Sequence, residues 1–302
     1  MLKCWENFTG YNNFVRKKWD SFWVEGWGGY VLKEKFKLIK LTLKEWYQQH
    51  SQNLPIKILT LKERISAIDL KGELELLLEE EVEELHELSK NLFSLSRMNS
   101  SIRWQQSRMM KWLREEDAIS KFFHGIMSSR RRKNAIPCFL VDGVLVEGVE
   151  NVRSAIFSHF STHLQSSRVA RPGLEGFNFR TMSVMEGVGL IKSFSLEEVK
   201  EAVWEIDDYK CPGPGGISFG FIKFFWDILK DDVLNFLVEF HRNGKFTKGI
   251  NNTFIPLIPK VDSPQRLNDF QPLSLVGSMY KILVKFLANR LRLVIGSVVS
   301  DT

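Results

Sequence analysis

Cysteine is scarce in this chain. Cys4, Cys138 and Cys211 lie far apart and form no Cys-x-x-Cys pair. The sequence therefore offers neither a disulfide framework nor a zinc site, and it fits a reducing compartment. The N-terminus, Met1-Leu2-Lys3-Cys4-Trp5-Glu6, lacks the apolar run of a signal peptide, and no stretch approaches the length needed to cross a bilayer. Even the aromatic segment from Phe219 to Phe225 is too short, and Gly220 and Lys223 interrupt it. Histidine carries little chemistry. His124 has no nearby serine, cysteine or carboxylate to complete a catalytic site, and His159 and His163, four apart, have no third ligand at metal spacing. These absences describe an intracellular protein of nucleus or cytoplasm, not secreted and without a membrane partner.

With 302 residues, 44% of them hydrophobic, the chain can bury a substantial core, and its length suggests about two domains. Lys and Arg total 42 against 36 Asp and Glu, a net charge of +6, which makes polyanions candidate partners, although many proteins with no nucleic-acid role are this basic. The distribution says more than the sum. Glu79, Glu80, Glu81, Glu83 and Glu84 precede Arg97, Arg103, Arg108, Lys111 and Arg114, and then Arg130, Arg131, Arg132 and Lys133.

From Phe14 to about Asn99 the pattern is helical. Leu32, Phe36, Ile39, Leu43 and Trp46 alternate spacings of four and three on one face. Thr60 with Glu63 has the form of a capping box and predicts a second helix start, from which an apolar stripe runs from Leu61 to Leu95. That stripe suits either a coiled-coil arm, with helix-mediated self-association, or a pair of packed helices, which Gly72 and the imperfect heptads favour.

Between Gln106 and His124, the cations Arg108, Lys111, Arg114 and Lys121 surround Trp112, Phe122 and Phe123. Cations for phosphates and aromatic faces for bases make one reading; core aromatics beneath a solvated basic face make the other. Arg130-Arg131-Arg132-Lys133 is the densest basic run, suited to RNA phosphates, to an exposed loop or to a nuclear-localisation patch. Just beyond it, Asp142-Gly143 between two apolar runs predicts a hairpin over 138–147, and its positive-φ turn explains Asp142 better than catalysis does.

Periodicity fails from Gln165 to Gly189, marking residues 165–190 as a linker between a region 1–164 and a region 191–302. Ser195 with Glu198 then opens a helix through Val199, Val203 and Ile206. Asp207-Asp208 decorates its end. The loop Cys211-Pro212-Gly213-Pro214-Gly215-Gly216 combines fixed and free φ for a sharp turn with close approach to a partner. Two amphipathic helices follow, ending at Gly244. Thr253 to Lys260 predicts a buried strand, and Ile282, Phe286, Leu287, Leu291 and Val294 predict a helix whose other face carries Lys281, Lys285, Arg290 and Arg292, either along a nucleic-acid strand or solvated.

Three segments, Lys210 to Gly216, Asn252-Thr253-Phe254-Ile255-Pro256-Leu257-Ile258-Pro259-Lys260 and Phe270-Gln271-Pro272-Leu273-Ser274-Leu275-Val276-Gly277-Ser278, resemble in order and spacing the start of a reverse transcriptase of the plant non-LTR (LINE-type) retrotransposons. The stretch from Gln106 to His124 is similar to the same family's connector between endonuclease and polymerase. The resemblance implies an α+β, predominantly helical chain: a helical connector over 1–164, then an incomplete fingers/palm over 191–302. It implies RNA-directed DNA polymerase as the family activity, an RNA template and DNA primer as partners, and Mg²⁺ as the cofactor. The palm aspartates that hold Mg²⁺ in the family have no counterpart here, so the fragment is expected to be inactive alone, with a non-catalytic RNA-binding remnant or a helical interaction protein as alternatives. Lys260 aligns with a finger lysine that faces the incoming triphosphate. Gln271 stands where the family has an arginine, keeping donors but losing the charge. Gly215 replaces the family's Asp, which predicts a looser loop.

Overall fold

The computed structural model describes residues 5, 8, 10–51, 54–107, 125, 128–129, 132, 135–141, 143–165 and 180–299. It is an α+β chain dominated by helices, with three small antiparallel sheets. Helix α1 (Tyr11–Ser21) buries Tyr11, Val15 and Trp19. In α2 (Gly28–Ser51) the predicted stripe Leu32, Phe36, Ile39, Leu43 and Trp46 is buried throughout.

Helix α3 (Leu54–Leu74) starts before the expected capping box. Pro55 sits in its first turn, where no intrahelical donor is required. Thr60 is therefore interior, and its hydroxyl donates to the Ile56 carbonyl at 3.1 Å instead of capping. The chain reverses over 75–78 into α4 (Glu79–Ser107), whose first turn carries Glu79, Glu80 and Glu81, the sign a helix N-terminus favours. Arg64 reaches Glu84 with two bonds of 2.9 and 3.0 Å, and Lys71 reaches Glu81 at 2.5 Å, so α3 and α4 pack as an antiparallel pair. The apolar stripe thus closes on itself, and its base rests on the main core through Ile58 and Leu95.

The predicted hairpin is present. Strands β1 (Cys138–Val141) and β2 (Val144–Glu147) pair around Gly143 at φ +82°; Asp142 lies outside the described residues. Helix α5 (Val149–Leu164) covers the hairpin, and Phe139, Val152 and Leu267 form a small second core.

Residues 166–179 of the expected linker lie outside the described residues, but its end is a helix, α6 (Val184–Ile191). Ser183 and Glu186 cap it reciprocally. Gly187 and Gly189 hide it from a reading based on periodicity. Helix α7 (Leu196–Trp204) opens at Ser195 with the predicted capping box. Helices α8 (Phe219–Phe224) and α9 (Trp226–Asn243) follow, the latter ended by Gly244 in the left-handed conformation.

The main core joins α1 and α2 to the elements beyond 191. Helix α2 lies against α9 so closely that a Cβ on Gly28 would sit 2.9 Å from the Asn235 backbone. Asp232 accepts from Lys35 at 2.9 Å and from the Trp19 indole at 3.1 Å. A single core therefore spans residues on both sides of the segment expected to divide the chain.

The expected strand over 253–260 is two short ones. Strand β3 (Thr253–Phe254) pairs with β6 (Leu275–Val276), and β4 (Leu257–Pro259) pairs with β5 (Phe270–Pro272). Pro256 breaks the run because it cannot donate to a ladder. Nor is the segment buried, since Phe254 and Ile258 are exposed. Helix α10 (Ser278–Val298) closes the fold. Among the described residues no helix is long and apolar enough to cross a membrane.

Candidate nucleic-acid interface

The loop from Cys211 to Gly216 passes over the junction of β6 and α10. Gly213 is forced by that passage: a Cβ there would lie 2.4 Å from the carbonyl carbon and oxygen of Val276. Gly216 N–H donates to the Gly213 carbonyl at 2.9 Å, closing a turn over Pro214 and Gly215. Lys281, from the first turns of α10, donates to the Cys211 carbonyl at 2.6 Å. Burial, and then the neighbouring charge of Lys210, push the Lys281 ammonium below its ordinary pKa. The loop is anchored at both ends, and Gly215 at its tip faces open space.

Strands β4 and β5 place Lys260 and Gln271 on one small ribbon. Ile258 is opposite Gln271, and Lys260 N–H extends the ladder to the Asp269 carbonyl at 2.8 Å. Gln271 is thus a diagonal neighbour of Lys260, a relationship that typically spans about 7–8 Å. Both residues are exposed, and the Lys260 ammonium donates to the Asn268 carbonyl at 3.3 Å. Asp269 secures the preceding turn by accepting from the N–H groups of Arg266 and Gln265, which hold its carboxyl below the usual range.

The expected basic face of α10 is broken up: Arg292 is exposed, whereas the other three cations are turned to protein partners. Arg290 is 5% exposed and points inward, while Leu291, expected inside, is exposed. Lys281 is spent on Cys211, and Lys285 pairs with Glu205 at 2.7 Å. Of these three cations only Arg290 is buried; Lys281 and Lys285 are half-buried. The pair Asp207-Asp208 is structural as well. Asp207 accepts from Tyr209 N–H at 2.7 Å, and Asp208 pairs with Lys223 at 2.8 Å.

Arg108, Lys111, Arg114, Lys121, Arg130, Arg131 and Lys133 lie outside the described residues; Arg132 is exposed. His159 and His163 stack 6.3 Å apart. Among the described residues no group of three or more His, Cys, Asp or Glu comes together.

A basic cleft was missed. Lys33, Lys37 and Lys40 of α2 line a cavity of about 250 Å³ whose other walls are Pro214-Gly215, the segment from Gly249 to Asn252, and Gly277 to Met279 at the start of α10. Among the described residues no carboxylate lines it. Lys33 donates to the Lys248 carbonyl at 2.8 Å, Lys37 pairs loosely with Glu34 at 3.2 Å, and Lys40 lies alongside Gly216. The signal was present at spacings of four and three, on the flank of the apolar stripe that fixed α2.

No family model matches the chain. It is similar to the "Transposon TX1 uncharacterized 149 kDa protein" of Xenopus laevis, 25% identical over 193 residues, which is 63% of this chain and 15% of that protein. The chain thus spans a small fraction of the curated relative it matches, and the likeness relates it to a transposon-encoded protein.

Proposed function

We propose that this chain is an RNA-holding segment of a transposon polyprotein of the reverse-transcriptase type, contributing grip on RNA and on an incoming nucleotide. The similarity to a transposon protein supports the coarser half of this reading. What supports the finer half is that the glycine loop packs at Gly213 on Val276 of β6, far along the chain, while Lys260 and Gln271 share the β4–β5 ribbon that lies between β3 and β6 in sequence. An exposed lysine on a ribbon and a backbone-rich loop each suit phosphate groups, which need mobile cations and accessible N–H donors. Gln271 makes the nucleotide half of the grip weak, because it adds donors without charge. The reading assigns no nucleotidyl transfer to these residues.

The test is fluorescence anisotropy of the purified chain with a labelled single-stranded RNA across a salt series. Affinity falling steeply with salt is expected, together with a further loss on replacing Arg130, Arg131 and Arg132 by Ala. Absence of salt-dependent binding removes the reading; an unchanged affinity in the triple variant removes the basic run from it.

A further inference from the structure

We infer that the cleft between α2 and the glycine loop is a track for the phosphate backbone of single-stranded RNA, with Lys37 and Lys40 as its principal contacts. The inference rests on the RNA-holding reading and names its site.

Three features argue for a chain-like polyanion. The first is linearity. Lys33, Lys37 and Lys40 rise along one side of α2 and Lys44 continues the row, so cations recur about once per turn, every ~5.4 Å, instead of converging on a point. A single phosphate needs convergent donors; a row suits successive phosphates. The second is charge balance. Among the described residues no Asp or Glu lines the cleft, and Lys37 is 65% exposed on its loose pairing with Glu34, so its charge is available to a ligand at little desolvation cost. The third is wall chemistry. Gly215, Gly249 and Gly277 present backbone without side chains, and Gly277 precedes α10 without a side-chain cap. Gly215, at the loop tip, meets open space, so a sugar-phosphate chain can come close to backbone there. Phe36 and Met279 line the cleft with apolar surface, and the lysine row addresses the phosphates, which position a chain without reading its sequence.

The experiment compares the full chain with Lys37→Gln/Lys40→Gln and with Lys57→Gln/Lys62→Gln, a control of equal charge change on the exposed side of α3, by anisotropy on a labelled oligouridylate across a salt series. Lys33 is left intact because it ties α2 to Lys248. The salt slope of the cleft variant is expected to fall by about 1.4, from two lost contacts at roughly 0.7 each, with the loss of affinity greatest at low salt, while the control stays near wild type. Circular dichroism melts keep the comparison between folded proteins. Equal slopes in the wild-type and cleft variants overturn the track and leave the RNA-holding reading standing. Equal losses in cleft and control variants reduce the effect to net charge and also overturn it. A wild-type chain that binds no RNA overturns both.

Discussion

Arg290 is buried with its guanidinium 2.9 Å from the Glu198 carboxylate, between the rings of Phe194 and Phe286 at 4.8 and 4.7 Å. It also donates to the carbonyls of Leu190, Lys192 and Ser193. One side chain of α10 thereby satisfies the end of α6 and the start of α7. Planar, multidentate donation is the reason an arginine and not a lysine fits there.

Replacing Arg290 by Met keeps the apolar stem and removes every donor. The three carbonyls would lose their partner, while Glu198 keeps Lys192 at 3.1 Å. The expected cost is about 3 kcal/mol, the low end for breaking a buried ion pair, measured as a lowered urea midpoint.

The same contact sets a pH dependence. Burial tends to raise the Glu198 pKa, but bonds from Arg290, Lys192 and the Ser195 N–H outweigh it and bring the carboxyl from 4.5 to about 2. A depressed carboxylate pKa stabilises the fold above the unfolded value, and that contribution is lost as pH falls from about 4.5 to about 2. Urea midpoints across that window should drop, and Glu198→Gln should flatten the drop.

The glycine loop makes a paired prediction. Gly213→Ala drives a Cβ into the Val276 backbone at 2.4 Å, and backbone cannot step aside, so a loss above about 1 kcal/mol is expected. Gly215→Asp meets open space and should stay within about 0.5 kcal/mol. Thermal melts of the two variants separate them.

Gln271→Arg restores a charged fork beside Lys260. Nucleoside triphosphate affinity should rise about tenfold, the equivalent of one added charge-assisted bond of ~1.4 kcal/mol, and Lys260→Ala should cancel the gain. Isothermal titration reads both.

Ile39 is fully buried in the main core. Ile39→Ala should cost about 2–5 kcal/mol, and because α2 packs on α9, amide exchange should quicken in α9 as well as in α2. Faster exchange confined to α2 would contradict the shared core.

What could be read from the sequence was what local periodicity and capping determine. The α2 stripe, the turn at Gly143, the Ser195 cap and the Gly244 stop all depend on residues within a few positions of one another. One error was local: Thr60 and Glu63 have capping form, but Pro55 begins the helix earlier. The others came from partners far along the chain. Arg290 has the pattern of an outward cation, yet Glu198 and three carbonyls draw it inward. The lysine row of α2 gained a possible role through the facing walls at Gly215, Gly249 and Gly277, which α2 itself does not encode.

The bond from the Trp19 indole to Asp232 joins positions 213 residues apart. At the ~5–20 residues per second of ribosomal synthesis, α2 would emerge roughly 10–40 s before α9 exists to cover it. Through that interval Leu32, Phe36, Ile39 and Leu43 have α1 beside them but lack the cover that α9 supplies. Closing so long a loop also slows the search for the native pairing. The arrangement that unites the core therefore defers the cover of one face of α2 until α9 has been made.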